Sequence, residues 1–313
     1  NLTVLPKLPQ PIAGLDELAH NLYWSWQSDA RRLFRRLDRE LWEGCHHNPV
    51  ALLRDIDQER LDAAAADPDF LADYAAVMDQ FRGYLTRRTW FDAAGHDGHV
   101  YAYLCAEYGW SEAIALYSGG LGVLAGDHTK AASDLGVPLV AVGLYYREGY
   151  FHQRVGPDGR QEAVYLRSNP AALPFEPALG PDGRRASVTV NLFGRDVEVA
   201  AWEARVGRVR VVLLDVDVDA NGAEDRQLLA RLYGGDQRTR VAQEMILGLG
   251  GVRMLRALGV TPTAWHMNEG HSAFSVLERC RELVAAGLDF AAAREAVIAN
   301  TLFTVHTPVA AGN

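Results

Sequence analysis

Lysine is almost absent from this chain: of its 31 basic residues only Lys7 and Lys130 are lysines, the rest being arginine. A guanidinium stays protonated and forms no Schiff base, so any amine chemistry has these two candidates and no others. Cysteine is scarce as well. Cys45, Cys105 and Cys280 are odd in number, widely spaced and without a C-x-x-C pair, which argues against a disulfide framework, a zinc ribbon or a redox couple and fits a reducing cytoplasm. No uncharged apolar run reaches the roughly eighteen residues of a bilayer span and no signal-type leader is seen, so no membrane partner is expected. Positive charge is not in excess. With 31 basic against 40 acidic residues the net charge is −9, unsuited to holding nucleic acid by phosphate neutralisation. What remains, 313 residues at 49% hydrophobic and 23% charged, is a globular chain able to bury a large core.

Periodicity divides it. Residues 1–95 read as a helical N-terminal extension: Leu15, Leu18, Leu22 and Trp26 recur at helical spacing, and Leu33, Phe34, Leu37 and Leu41 continue the pattern. The aromatic group Tyr23-Trp24-Ser25-Trp26 reads as packed core rather than as a sugar-stacking platform, and His46-His47-Asn48-Pro49 as a helix exit with a turn. A turn-rich stretch at 92–98 marks the boundary to residues 96–313. There a strand at 99–105, a helix at 122–135 and an apolar strand at 137–146 make a βαβ unit with a parallel sheet. The Pro157-Asp158-Gly159-Arg160 and Pro181-Asp182-Gly183-Arg184 turns place an antiparallel β insertion at about 155–215. Asp236 is the expected N-cap of one long helix through Leu258, Thr263–Met267 a short strand, His271–Ala286 a helix with Phe274, Leu277 and Val284 on one face, and Thr301–His306 a last strand. The fold class is α/β, an incomplete Rossmann-like lobe.

Chemistry concentrates at three turns. Tyr117-Ser118-Gly119-Gly120-Leu121-Gly122 runs straight into helix, where backbone N–H groups and the helix dipole favour an anion. Gly120-x-Gly122-x-x-Ala125 matches the dinucleotide pattern, but about ten residues part it from the preceding strand and no ribose-binding acid follows the next one. Trp265-His266-Met267-Asn268-Glu269-Gly270-His271 ends a strand in a polar turn whose spacing is not a zinc motif; Asn268 as a cap and His271 as a core histidine are the plain alternative. His306 closes another strand, so three polar strand ends are expected on one rim. Glu107 is placed to orient the glycine turn, Asp127 to serve the helix dipole and Asp236 to cap.

At these motifs, together with Asn21-Leu22-Tyr23-Trp24-Ser25-Trp26, Ala106-Glu107-Tyr108-Gly109, Tyr233-Gly234-Gly235-Asp236 and His306-Thr307-Pro308-Val309, the chain resembles the α-glucan (glycogen, starch or maltodextrin) phosphorylases of the bacterial branch with a helical N-terminal extension. The resemblance implies the N-terminal lobe of a B-type (GT-B) glycosyltransferase, which uses inorganic phosphate to cleave terminal α-1,4 bonds of a glucan to glucose 1-phosphate with the help of pyridoxal phosphate. It implies a substrate- and phosphate-binding set of Gly119, Gly120, Leu121, Gly122, Asn268, Glu269, His271 and His306, with Asn268 and Glu269 in a gating loop and His306 on the sugar side. The family's cofactor lysine lies in a second lobe that this chain lacks. Lys7 sits in the proline-punctuated start and Lys130 at an ordinary helix position, and the chain breaks off at Gly312-Asn313, so an inactive fragment without a complete catalytic set is expected. Its partners are the C-terminal lobe, the glucan and phosphate, with a homo-oligomer open. A glucan synthase-type lobe, with Ser118 where that family has lysine, and a non-catalytic glucan-binding module are the alternatives.

Overall fold

The chain is described here by a computed structural model covering residues 5–95 and 98–306. His96 and Asp97 of the boundary turn, Thr307-Pro308-Val309 and the Gly312-Asn313 end lie outside the described residues.

Residues up to 95 fold as α1 (Leu15–Ala19), α2 (Ser28–Leu37), α3 (Arg39–Gly44), α4 (Pro49–Asp55), α5 (Gln58–Ala66), α6 (Pro68–Thr86) and α7 (Trp90–Ala94). Local chemistry sets the starts: Asp38, Asn48, Asp67 and Thr89 each accept a first-turn amide, and Pro49 and Pro68 occupy opening positions where no N–H is needed. The continuous pattern expected from Leu15 to Trp26 is broken after Ala19, and a 3-10 turn spans Leu22–Trp26. Asn21 is the cause. Its Oδ1 accepts the amides of Tyr23 (3.0 Å) and Gly207 (2.8 Å) while Nδ2 donates to the Gly207 carbonyl, so a contact 186 positions away overrides the helical period. Tyr23 and Trp24 are core, at 4% and 1% exposure, with the Tyr23 ring 4.8 Å from that of Tyr84.

One eight-stranded sheet organises the rest, built from β1 (Tyr101–Leu104), β2 (Leu139–Leu144), β5 (Glu176–Pro177), β6 (Ser187–Leu192), β7 (Arg195–Val206), β8 (Val209–Asp215), β9 (Ala264–Asn268) and β10 (Thr301–Thr304); β3 (His152–Val155) and β4 (Gln161–Val164) make a separate hairpin. Strands β10-β9-β1-β2-β8 are parallel, in that order, and β7 joins antiparallel to β8, carrying β5 and β6. The expected βαβ unit is β1, α8 (Gly120–Leu135) and β2, whose residues are almost all buried, as a parallel strand covered on both faces requires. Both Pro-Asp-Gly-Arg turns are present with their glycines at φ +77° and +75°. The second antiparallel hairpin does not stand apart: through β8 it extends the central sheet.

From β1 the chain steps to one side, through β2 to β8, and then returns to the other side of β1 for β9 and β10. That reversal is a topological switch point, where the crevice beyond the strand ends opens between β1 and β9. The return runs through α9 (Gln237–Met245), a π-helical turn Ile246–Gly250 and α10 (Gly251–Ala257), so the single expected helix is interrupted. Close packing accompanies the interruption: a Cβ at Gly248 would lie 2.6 Å from Phe274 Cβ. Two further helices, α11 (Phe274–Ala285) and α12 (Phe290–Ala299), flank the last strands. On α11 the expected apolar face is not the buried one. Leu277 and Val284 are exposed, whereas Glu278 is 1% and Arg279 4% exposed, Glu278 being held by Arg253 and Arg281.

Candidate functional site

The glycines of the turn divide into two kinds. A Cβ at Gly122 would fall 2.4 Å from Tyr117 Cβ and 2.8 Å from Glu107 Oε2, and one at Gly126 2.2 Å from the Gly109 carbonyl, so these two let α8 lie against the backbone that leaves β1. At Gly119 and Gly120 a Cβ meets nothing within 4 Å, and both residues are exposed. Among the described residues no side chain caps α8. The first amides of a helix have no intrahelical acceptor, so those of Gly120 and Leu121 open the positive end of a sixteen-residue helix to solvent. Glu107, 2% exposed, fixes the turn from behind by accepting the Ser118 amide at 2.7 Å.

The ends of β1, β9 and β10 lie side by side because the three strands are in parallel register. Asn268 joins all three: its Nδ2 donates to Cys105 Sγ at 3.2 Å, and its Oδ1 lies 2.9 Å from His306 Nε2. Glu269 follows at φ +64°, a backbone region that favours glycine and costs other residues about 1–3 kcal/mol. Surrounding bonds hold it there: its amide donates to the Thr304 carbonyl (2.9 Å) and its Oε1 accepts the His306 amide (2.6 Å). Cys105 is fully buried and its thiol is pushed up to about 12, so it serves as a neutral packing group rather than a nucleophile.

Behind the rim lies a cavity of about 230 Å³ lined by Ala106, Tyr233, Asp236, Arg240, Glu244 and His271 among others. His271 is 5% exposed and held below the ordinary histidine value by burial first and by Arg240 second, which keeps it neutral near pH 7. Arg240 Nη2 stands 3.5 Å from its Nε2. Tyr233 donates its phenol to Glu107 Oε1 at 2.5 Å and so links the cavity wall to the glycine turn. Asp236 caps α9 as expected, accepting the Thr239 amide at 2.8 Å.

Of the sequence-predicted residues, Asn268, Glu269 and His306 form one bonded group, whereas Gly122 packs against Tyr117 and the Glu107 side chain and accepts the Gly109 amide. Gly119, Gly120 and Leu121 form the open turn, and His271 faces the cavity. Asp127 is exposed and pairs only loosely with Lys130, at 4.0 Å. Arg240 and Glu244 escape sequence reasoning because their i, i+4 spacing reads as an ordinary helix-surface pair. Neither lysine reaches the rim: Lys130 Nζ donates to the Trp110 carbonyl beside Trp26, and Lys7 is exposed near Gln58. The residues present therefore offer no Schiff-base amine for pyridoxal phosphate.

A family model described as a protein of unknown function, DUF3417, matches residues 8–114. The chain is 44% identical over 309 residues, 98% of its length, to a maltodextrin phosphorylase from Thermococcus litoralis, of which it spans 37%. It is 45% identical over 324 aligned residues to a glycogen phosphorylase from Mycobacterium tuberculosis, covering 99% of this chain and 38% of that one. A glycogen phosphorylase from Aquifex aeolicus is 36% identical over 95% of the chain, which spans 42% of it. The chain thus spans well under half the length of these relatives.

Proposed function

We propose that the chain, which is 44–45% identical along nearly its whole length to a maltodextrin and a glycogen phosphorylase while spanning 37–38% of theirs, forms the N-terminal part of an α-glucan phosphorylase. In this reading residues 1–95 are the helical extension and 96–313 an incomplete first Rossmann-like lobe of a GT-B enzyme of the cytoplasm, with an α-1,4-glucan and inorganic phosphate as substrates. The observation that carries it is the uncapped, open N-terminus of α8 beside the β1/β9 switch point, within one rim with Asn268 and His306. Fixed amide dipoles at Gly119, Gly120 and Leu121 suit charge that develops between a phosphate and an oxocarbenium-like sugar, and they need no reorganisation when it appears. The Glu269 carboxylate, tied to the His306 amide, holds the proposed sugar-side histidine beside Asn268.

Pyridoxal phosphate, when bound, supplies a phosphate group for proton transfer, and its lysine belongs to a second lobe. Support for further chain packed against this one comes from the edge of the sheet: Leu302 and Phe303, which point to opposite faces of β10, are 58% and 50% exposed, and Val305 follows at 50%. An edge strand apolar on both faces is the pattern of a strand made to be covered. The test is release of glucose 1-phosphate from maltodextrin by the full-length gene product and by the 313-residue chain. Phosphate-dependent release by the former alone supports the reading; turnover by the chain alone, or transfer from ADP-glucose in place of phosphorolysis, refutes it.

A further inference from the structure

Glu107 binds two segments that lie far apart in sequence. Its Oε2 accepts the Ser118 amide (2.7 Å) and its Oε1 the Tyr233 phenol (2.5 Å), the latter from 126 positions away. The carboxylate comes this close to α8 because Gly122 has no side chain. At the other end, Tyr233 holds φ +56° and Gly235 φ +82°, a corner just ahead of the Asp236 cap. For a tyrosine that backbone is strained and persists only where the surroundings fix it. The residue is 47% exposed and its ring meets His271 at 6.4 Å between centroids, so packing holds it on one side and its phenol bond to Glu107 ties the other. Burial of that end and the neighbouring Glu107 charge hold the phenol above its ordinary pKa, so it remains a donor.

We propose that Glu107 is a positioning residue, a strut whose two oxygens lock the glycine turn and the Tyr233–Asp236 corner into one geometry. A carboxylate suits the task because it accepts on both oxygens, whereas a glutamine offers one acceptor and one donor group and cannot receive both the amide and the phenol in this arrangement. By occupying the Ser118 amide the strut also leaves those of Gly119, Gly120 and Leu121 for a ligand. Its kinetic consequence rests on the phosphorolysis reading; its structural consequence does not.

The full-length gene product carrying Tyr233→Phe, and separately Glu107→Gln, tests this by hydrogen exchange and steady-state kinetics. Faster exchange in both 233–236 and 117–122 in the Tyr233→Phe protein, with exchange in the rest of the sheet as in the parent, is the expected result. Unchanged exchange in 117–122 overturns the proposal, since the two segments then move independently. In phosphorolysis, Tyr233→Phe is expected to raise KM for phosphate about three- to tenfold at nearly constant kcat, the fold-change carried by one lost hydrogen bond. An unaltered KM in a variant whose exchange has risen overturns the positioning role. The double variant should be no worse than the poorer single one. Absence of phosphorolysis in the unsubstituted enzyme counts against the phosphorylase reading instead, and the exchange result still decides the strut.

Discussion

His306 Nε2 and Asn268 Oδ1 meet at 2.9 Å across the ends of neighbouring strands, in residues 38 positions apart. The amide's other end sets the direction of the bond. Because Nδ2 donates to Cys105 Sγ, Oδ1 is the acceptor, and His306 carries its proton on Nε2. Asn268 is 1% exposed and Cys105 fully buried, so removing its side chain opens a void at the strand ends and leaves the Cys105 thiol without its donor, while His306, which is exposed, loses the bond that orients its ring. Asn268→Ala should lower stability by about 1–3 kcal/mol. Urea denaturation checks this, and a variant as stable as the parent shows that the amide is dispensable to the rim.

The two kinds of glycine should respond differently to one methyl group. Gly122→Ala forces backbone and Tyr117 apart, since its Cβ would lie 2.4 Å from Tyr117 Cβ, and should destabilise by about 1–3 kcal/mol. Gly120→Ala meets open space at the first helical position and should be neutral or stabilise by up to about 1 kcal/mol. Thermal melts of the pair decide it; equal losses contradict the division of the turn into packed and open glycines.

Much of this arrangement is legible in the sequence, for local reasons. The β1–α8–β2 unit, the Asp236 cap and the glycine at φ +71° that ends α8 all rest on signals within a few residues of the feature. What is not legible depends on distant partners. The break after Ala19 needs Gly207, the π-helical turn packs against Phe274, and the Glu107–Tyr233 bond joins two segments that no periodicity relates. The inverted face of α11 has the same origin: Glu278 is buried because Arg253, on a different helix, reaches it with two hydrogen bonds.

His266 supplies an acid-side signature. Burial first, then the charges of His128 and His306, hold it at about 4, while in an unfolded chain it titrates near ~6.5. Below about pH 6.5 the unfolded chain takes up a proton that the folded one refuses until about pH 4, so stability present above that window is lost progressively through it. His128 and His271 are lowered by burial too and act in the same direction. Urea midpoints at about pH 7, 5.5 and 4.5 should fall in that order, and His266→Gln should flatten the fall. An unchanged pH slope in the variant excludes His266 as a source.

Glu278 acts at still lower pH. Burial pushes its carboxyl up, but the hydrogen bonds from Arg253 and Arg281 outweigh this and hold it at about 2. Its stabilisation is complete above the ordinary glutamate range near ~4.3 and is lost as pH falls toward about 2. At neutral pH, Glu278→Ala should cost about 2 kcal/mol, less than the ~3–5 kcal/mol of a fully buried pair because the two arginine side chains are 30% and 57% exposed. Denaturant midpoints check this, and a neutral outcome shows that the arginines find water in its place.

The most direct test of the central claim removes a single amide from the turn. Gly120→Pro deletes the first helical N–H of α8 at a position where proline fits a helix start, with nothing beyond the flanking residues and the helix's own backbone within 4 Å of the added Cβ and with extended backbone at Gly119 before it. In the full-length gene product the account predicts an unchanged melting temperature and a loss of phosphorolysis of about 10²-fold or more, the scale of losing one oxyanion-type donor. Phosphorolysis at the parental rate in a folded Gly120→Pro enzyme would contradict it.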